Sequence, residues 1–126
     1  DQSRKTRSHC HGWSAGPTYF LTAWILGVRP LAPGYEKVLL APNPCDLAWC
    51  QGRVPTPRGE VECRWESGPE LFTLTAKLPD GASGRIELPL SGEVVESEGG
   101  LRARSAPPGR MRFSARGPAI RLAIRR

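Results

Sequence analysis

The stretch Glu60–Glu66, EVECRWE, decides the fold. Val61, Cys63 and Trp65 fall on one side of an extended chain, and Glu60, Glu62, Arg64 and Glu66 on the other. Strict alternation of this kind marks a strand with one buried and one wet face. Working outward, PTPRG (Pro55–Gly59) reads as a turn, and Asp46–Val54 as the strand that pairs back across it. Downstream, ELFTLTAKL (Glu70–Leu78) places Phe72, Leu74, Ala76 and Leu78 on one side. PDGAS turns the chain, and Arg85–Leu90 alternates again, with Ile86, Leu88 and Leu90 inward. Upstream, EKVLLA (Glu36–Ala41) is a strand ended by PNPCD. After Leu90 the chain is Gly-rich until Leu101–Arg104, Arg110–Ala115 and Ala119–Ile124. In those strands Met111, Phe113, Ile120, Leu122 and Ile124 point in, while Arg121 and Arg125 point out.

These segments predict a mainly β protein, an antiparallel β-sandwich of about seven or eight strands. The composition agrees. The 126 residues include 14 Gly and 13 Pro, which short strands and turns use freely and long helices do not. A hydrophobic fraction of 39% is enough for a globular core.

One buried-type α-helix is expected before the strands. PTYFLTAWILGV (Pro17–Val28) opens with Pro and reaches Gly27, the residues suited to a helix start and end, so the helix runs from about Gly16 to Leu26. Tyr19, Phe20, Leu21, Ala23, Trp24, Ile25 and Leu26 cover nearly its whole circumference. A helix apolar all round wants burial on every side, and one sandwich offers only one. A partner beyond the sandwich is therefore expected. The apolar stretch Tyr19–Val28 is too short to span a membrane, and RPLAPG (Arg29–Gly34) reads as a linker.

Four cysteines stand at positions 10, 45, 50 and 63, in no zinc spacing. Cys63 reads as a small buried hydrophobe, whereas Cys45 and Cys50 flank a Trp-bearing segment and are candidates to pair. The net charge of +6 comes almost entirely from 15 Arg against 3 Lys. Eight of those Arg lie in the last 26 residues, mostly at outward strand positions, where they can form one basic sheet surface. The exposed aromatics or recognition helix that nucleic-acid reading also requires are not apparent, so no nucleic-acid partner is expected.

The stretch with chemistry in it is Thr6–Leu21, TRSHCHGWSAGPTYFL, which gathers His9, Cys10, His11 and Trp13. Imidazole donates and accepts hydrogen bonds and indole offers a flat face, a combination suited to a sugar ring. Adjacent His and Cys residues seldom reach one ion with good geometry, so no metal is expected, nor any cofactor. This stretch resembles the segment that opens the last barrel helix of bacterial α-L-rhamnosidases of glycoside hydrolase family 78. The likeness continues through LGVRPLAPGYEKVLLAPNP, DLAWCQGRVPTPRGEVECRWE and PDGASGRIELPLSG, covering about Arg7–Gly92. CHGWSAGP and VPTPRG are its specific parts.

The resemblance implies a division at about residue 28. Residues 1–28 would end an (α/α)6 catalytic barrel that packs on the helix, and residues 29–126 would form the C-terminal sandwich. It implies a rhamnose-containing glycoside as substrate. The family's S-x-C-H-x-W motif places His11 in the wall of the rhamnose pocket. The inverting reaction needs an acid and a base, and the resemblance places both in barrel segments that this sequence does not contain. Asp46, Glu60, Glu62, Glu66, Glu87 and Glu93 stand in strands or turns, mostly facing water, and do not replace them. The expectation is therefore the C-terminal part of a larger enzyme, inactive by itself. One rival is a free-standing carbohydrate-binding sandwich with Trp49 and Trp65 as an exposed stacking platform, and a weaker one is a basic nucleic-acid-binding β domain that uses the Arg-rich end.

Overall fold

The computed structural model describes residues 22–44 and 46–126, and the side chains from residue 24 on. The chain forms two five-stranded sheets. The first orders its strands β1 (Val28–Pro30), β2 (Lys37–Leu40), β6 (Ser83–Leu88), β9 (Met111–Ala115) and β8 (Arg102–Arg104). The second orders β3 (Trp49–Thr56), β4 (Gly59–Ser67), β5 (Leu71–Lys77), β10 (Ala119–Arg125) and β7 (Glu93–Glu98). Every pairing is antiparallel except β2 with β6, where the chain leaves the first sheet, builds β3 to β5 in the second, and returns.

The alternation read from the sequence sets the core. Val61, Cys63 and Trp65 of β4, with Phe72 and Leu74 of β5 and Leu122 of β10, face Val38, Leu40, Ile86, Leu88 and Phe113 of the first sheet in one continuous cluster. Trp65 is fully buried and stacks on Phe72, with ring centroids 6.3 Å apart. The β3–β4 hairpin is tighter than expected. Thr56 pairs with Gly59, so only Pro57 and Arg58 turn, and the Thr56 hydroxyl donates to the Gly59 carbonyl at 2.6 Å. Pro55 sits within β3 without cost to the sheet because β3 is an edge strand.

The described residues hold ten strands rather than seven or eight. The two additional strands are β1 and β7. Arg29 and Pro30, expected as the start of a linker, belong to β1, which pairs with β2 through Val28–Leu40 and Pro30–Val38. β7 has all six residues exposed, so it carries no inside-outside alternation to read. It approaches β10 closely because Gly92 lies against the Arg125 backbone, where a Cβ would overlap the carbonyl. Most of the expected helix lies outside the described residues. Within them, Thr22–Leu26 forms a single π-helical turn.

That turn is tied firmly to the sandwich. Gly27 adopts φ +95° and lies so near the Ala41–Pro42 peptide that any side chain would overlap it. The Ala41 N–H donates to the Gly27 carbonyl at 2.8 Å, and the Asn43 N–H to the Ile25 carbonyl at 3.2 Å. The Asn43 side-chain amide donates to the Trp24 carbonyl at 2.7 Å. From inside the core, the Trp65 indole N–H reaches the same Ile25 carbonyl at 3.1 Å. A buried indole needs such a partner, and here the partner lies forty residues away in the chain.

Replacing Trp65 by Phe keeps a ring against Phe72 but removes the donor and leaves a void. The expected loss is about 2 kcal/mol in urea unfolding followed by circular dichroism. Trp49→Phe, at a half-buried edge position, should lose less than half as much.

Candidate functional site

His11, with His9, Cys10 and Trp13, lies outside the described residues. The described residues show instead what holds the chain that follows that segment: the seam at Trp24–Gly27, gripped by Asn43, Ala41 and Trp65. On its outer side the Arg29 guanidinium lies 4.7 Å over the Trp24 ring, a cation–π contact on a half-exposed indole.

A broad concave feature lies on the outer face of the second sheet. Strand register builds it in rows. Arg64 stands between Gln51 and Thr75, and Arg121 between Thr75 and Glu98, so one row crosses all five strands. On one side runs Arg53, Glu62, Lys77 and Ala119, and on the other Trp49, Glu66, Thr73, Ala123 and Glu96. On β5 and β10 the small Thr73, Thr75, Ala119 and Ala123 stand among the longer Lys77 and Arg121, while β4 and β7 present long charged side chains. Two adjoining concavities of about 680 and about 330 Å³ result, sharing Arg64, Thr75 and Arg121.

The two shared arginines are held in place. Arg64 donates to Gln51 Oε1 at 2.8 Å and to Glu66 Oε2 at 2.5 Å, and lies 4.9 Å over the Trp49 ring. Arg121 pairs with Glu96 at 2.9 Å. Trp49 is thus half-buried under Arg64 while Trp65 is wholly in the core, so the two do not form an exposed stacking platform.

The Arg-rich end does not make one basic surface. Arg102, Arg104 and Arg112 belong to the first sheet and Arg121 and Arg125 to the second. Arg112 pairs with Glu87 at 3.2 Å and Arg125 with Glu93 at 3.3 Å. The acids considered at the outset are accordingly spread over both sheets and a loop. Glu60, Glu66, Glu87 and Glu93 each face an arginine. Among the described residues no three His, Cys, Asp or Glu gather as a metal site, and no helix is long and apolar enough to cross a membrane.

Residues 27–102, more than half of the chain, match the bacterial alpha-L-rhamnosidase C-terminal domain. The chain belongs to that family. An alpha-L-rhamnosidase of Alteromonas sp. (strain LOR) is 31% identical over 72 residues, which are 56% of this chain and 8% of the relative. One from Formosa agariphila is 35% identical over 66 residues, 52% of this chain and 7% of the relative. The fold is shared with the alpha-L-rhamnosidase of Streptomyces avermitilis solved in complex with L-rhamnose, at a TM-score of 0.76 and 22% identity, covering 85% of this chain and 10% of that one. It is also shared with that of Dictyoglumus thermophilum, at 0.73 and 19%, covering 87% and 13%. The chain therefore spans a small part of the length of the rhamnosidases it matches.

The chain uses its two described cysteines differently. Cys50, fully buried, is disulfide-bonded, with its partner outside the described residues. Cys63 is free, and burial pushes its thiol from 9.0 up to about 12. The folded state thus keeps a proton that the unfolded state releases above pH 9. This contribution to stability is complete below that pH and is lost as pH rises toward 12.

Two outcomes follow from that burial. Iodoacetamide should label Cys63 only on unfolding. The stability advantage of the native chain over Cys63→Ala should shrink by roughly 1 kcal/mol per pH unit above pH 9, measured by urea unfolding of both proteins.

Proposed function

We propose that this chain is the C-terminal part of an α-L-rhamnosidase-like inverting glycoside hydrolase. In this reading residues 1–28 end the catalytic barrel, residues 29–126 form the accessory sandwich, and the chain is inactive alone. Family membership over residues 27–102 supports it, together with relatives that are rhamnosidases many times longer than the matched stretch. The observation that carries the structural role is the seam. Four hydrogen bonds hold the main chain from Trp24 to Gly27 against the sandwich, which supports a scaffolding role for it.

That preceding segment bears the SHCHGW motif. His11 is proposed as one wall of the rhamnose pocket, hydrogen-bonding sugar hydroxyls through its imidazole. The acid that protonates the leaving oxygen and the base that activates water belong to the barrel. Holding a pocket group in register is a positioning task, and small displacements of such groups cost catalysis heavily.

The purified chain should release no rhamnose from an aryl α-L-rhamnoside. Turnover that disappears on changing Glu62→Gln, or any other acid of the sandwich, would overturn the reading. In a polypeptide that also carries the barrel, His11→Ala should raise KM about tenfold or more, ~1.4 kcal/mol, with little change in thermal stability. An unchanged KM would remove His11 from the pocket.

A further inference from the structure

We propose that the groove on the outer face of the second sheet is a binding site for a neutral oligosaccharide, recognised through vicinal hydroxyls by the row Gln51, Arg64, Thr75 and Arg121. Its combined volumes, about 680 and about 330 Å³, reach the scale of ligand pockets, roughly 300–1,000 Å³. The two lobes adjoin along the shared row, so the groove is longer than a single compact pocket and suits a chain of sugar units.

Charge selects the ligand class. The groove holds four cations, Arg53, Arg64, Lys77 and Arg121, and four carboxylates, Glu62, Glu66, Glu96 and Glu98, a balance of zero on a chain whose net charge is +6. An anion would meet a carboxylate beside each arginine. A neutral polyol meets what it needs, because each hydroxyl both donates and accepts, and here N–H donors and carboxylate acceptors alternate. Arg64 keeps spare donors after its bonds to Gln51 and Glu66, and Arg121 after its bond to Glu96. Both guanidinium groups already hold acidic partners, which lowers the side-chain freedom to be lost on binding. The Thr73 and Thr75 hydroxyls in the groove make no side-chain hydrogen bond among the described residues and add further donors and acceptors.

A protein partner fits this surface poorly. The large exposed apolar residues, Trp24, Leu31, Leu71, Val94 and Val95, all lie outside the groove, so it lacks the apolar centre of a docking interface. Covering it would also desolvate charges on every strand.

The test is a titration of the isotope-labelled 126-residue chain with cellotetraose and with a neutral rhamnose disaccharide, followed by amide chemical shifts. At least one should give saturable shifts centred on Gln51, Arg64, Thr75 and Arg121, with a Kd of about 0.1–10 mM. Thr75→Val, which removes only the hydroxyl, and Arg64→Met should each weaken binding about tenfold, and raising the salt should change it less than about twofold. If Arg64→Met does not fold, Thr75→Val carries the test. No shifts with either sugar at about 20 mM, shifts centred elsewhere, or full affinity in Thr75→Val would overturn the proposal. So would tighter, steeply salt-dependent binding of a uronate tetramer, which would mark an anion site. The site uses no residue before Gln51, so its failure would leave the pocket reading of His11 untouched.

Discussion

The Trp65 indole is the interaction on which the rest depends. Its ring is the largest fully buried side chain among the described residues, packed on Phe72 between the sheets. Its N–H leaves that apolar interior for the Ile25 carbonyl. A buried donor without a partner costs more than a made bond contributes, so the core and the entering chain are satisfied together or not at all. Gly27 and Asn43 complete the same joint from the surface side. The β-sandwich is therefore coupled to what precedes it by chemistry in its centre, not by a loose tether.

The outer face of the second sheet shows the opposite physics. Many of its side chains are long, charged and mutually paired, and small threonines and alanines stand among them. Exposed ion pairs of this kind contribute little to stability. Their value is geometric, since each pair fixes where a donor or an acceptor points. The arginines of the C-terminal strands are divided between the two sheets, and Arg112, Arg121 and Arg125 each have an acidic partner there.

Much of this fold was legible in the sequence, and the reasons are particular. Where one face of a strand is buried, as at Val61, Cys63 and Trp65 or at Ile120, Leu122 and Ile124, period-2 alternation marks it unambiguously. β7 escaped because Glu93–Glu98 is exposed on both faces, so that register with β10, not burial, makes it a strand. β1 escaped because Arg29–Gly34 carries the Pro and Gly of a linker, and only its pairing with β2 shows otherwise. The groove was invisible for a related reason. Gln51, Arg64, Thr75, Arg121 and Glu98 are scattered along the sequence, and only the strand order brings them into a row. The resemblance over about Arg7–Gly92, VPTPRG included, pointed to the family that residues 27–102 match, yet no spacing rule in the chain pointed to the sheet face.

The parallel pairing of β2 with β6 governs the order in which the molecule can assemble. β3, β4 and β5 form a meander of neighbours that can zip up as each emerges. β2 finds its inner partner only when Ile86 reaches Leu40, with that whole meander lying between them in the chain. Non-local pairing of this kind is slow, because the entropy of closing the loop is lost before the contacts return it. The grip of β4 on Ile25 spans a similar separation. The joint at Trp24–Gly27 thus rests on contacts of the same long range as the parallel pairing.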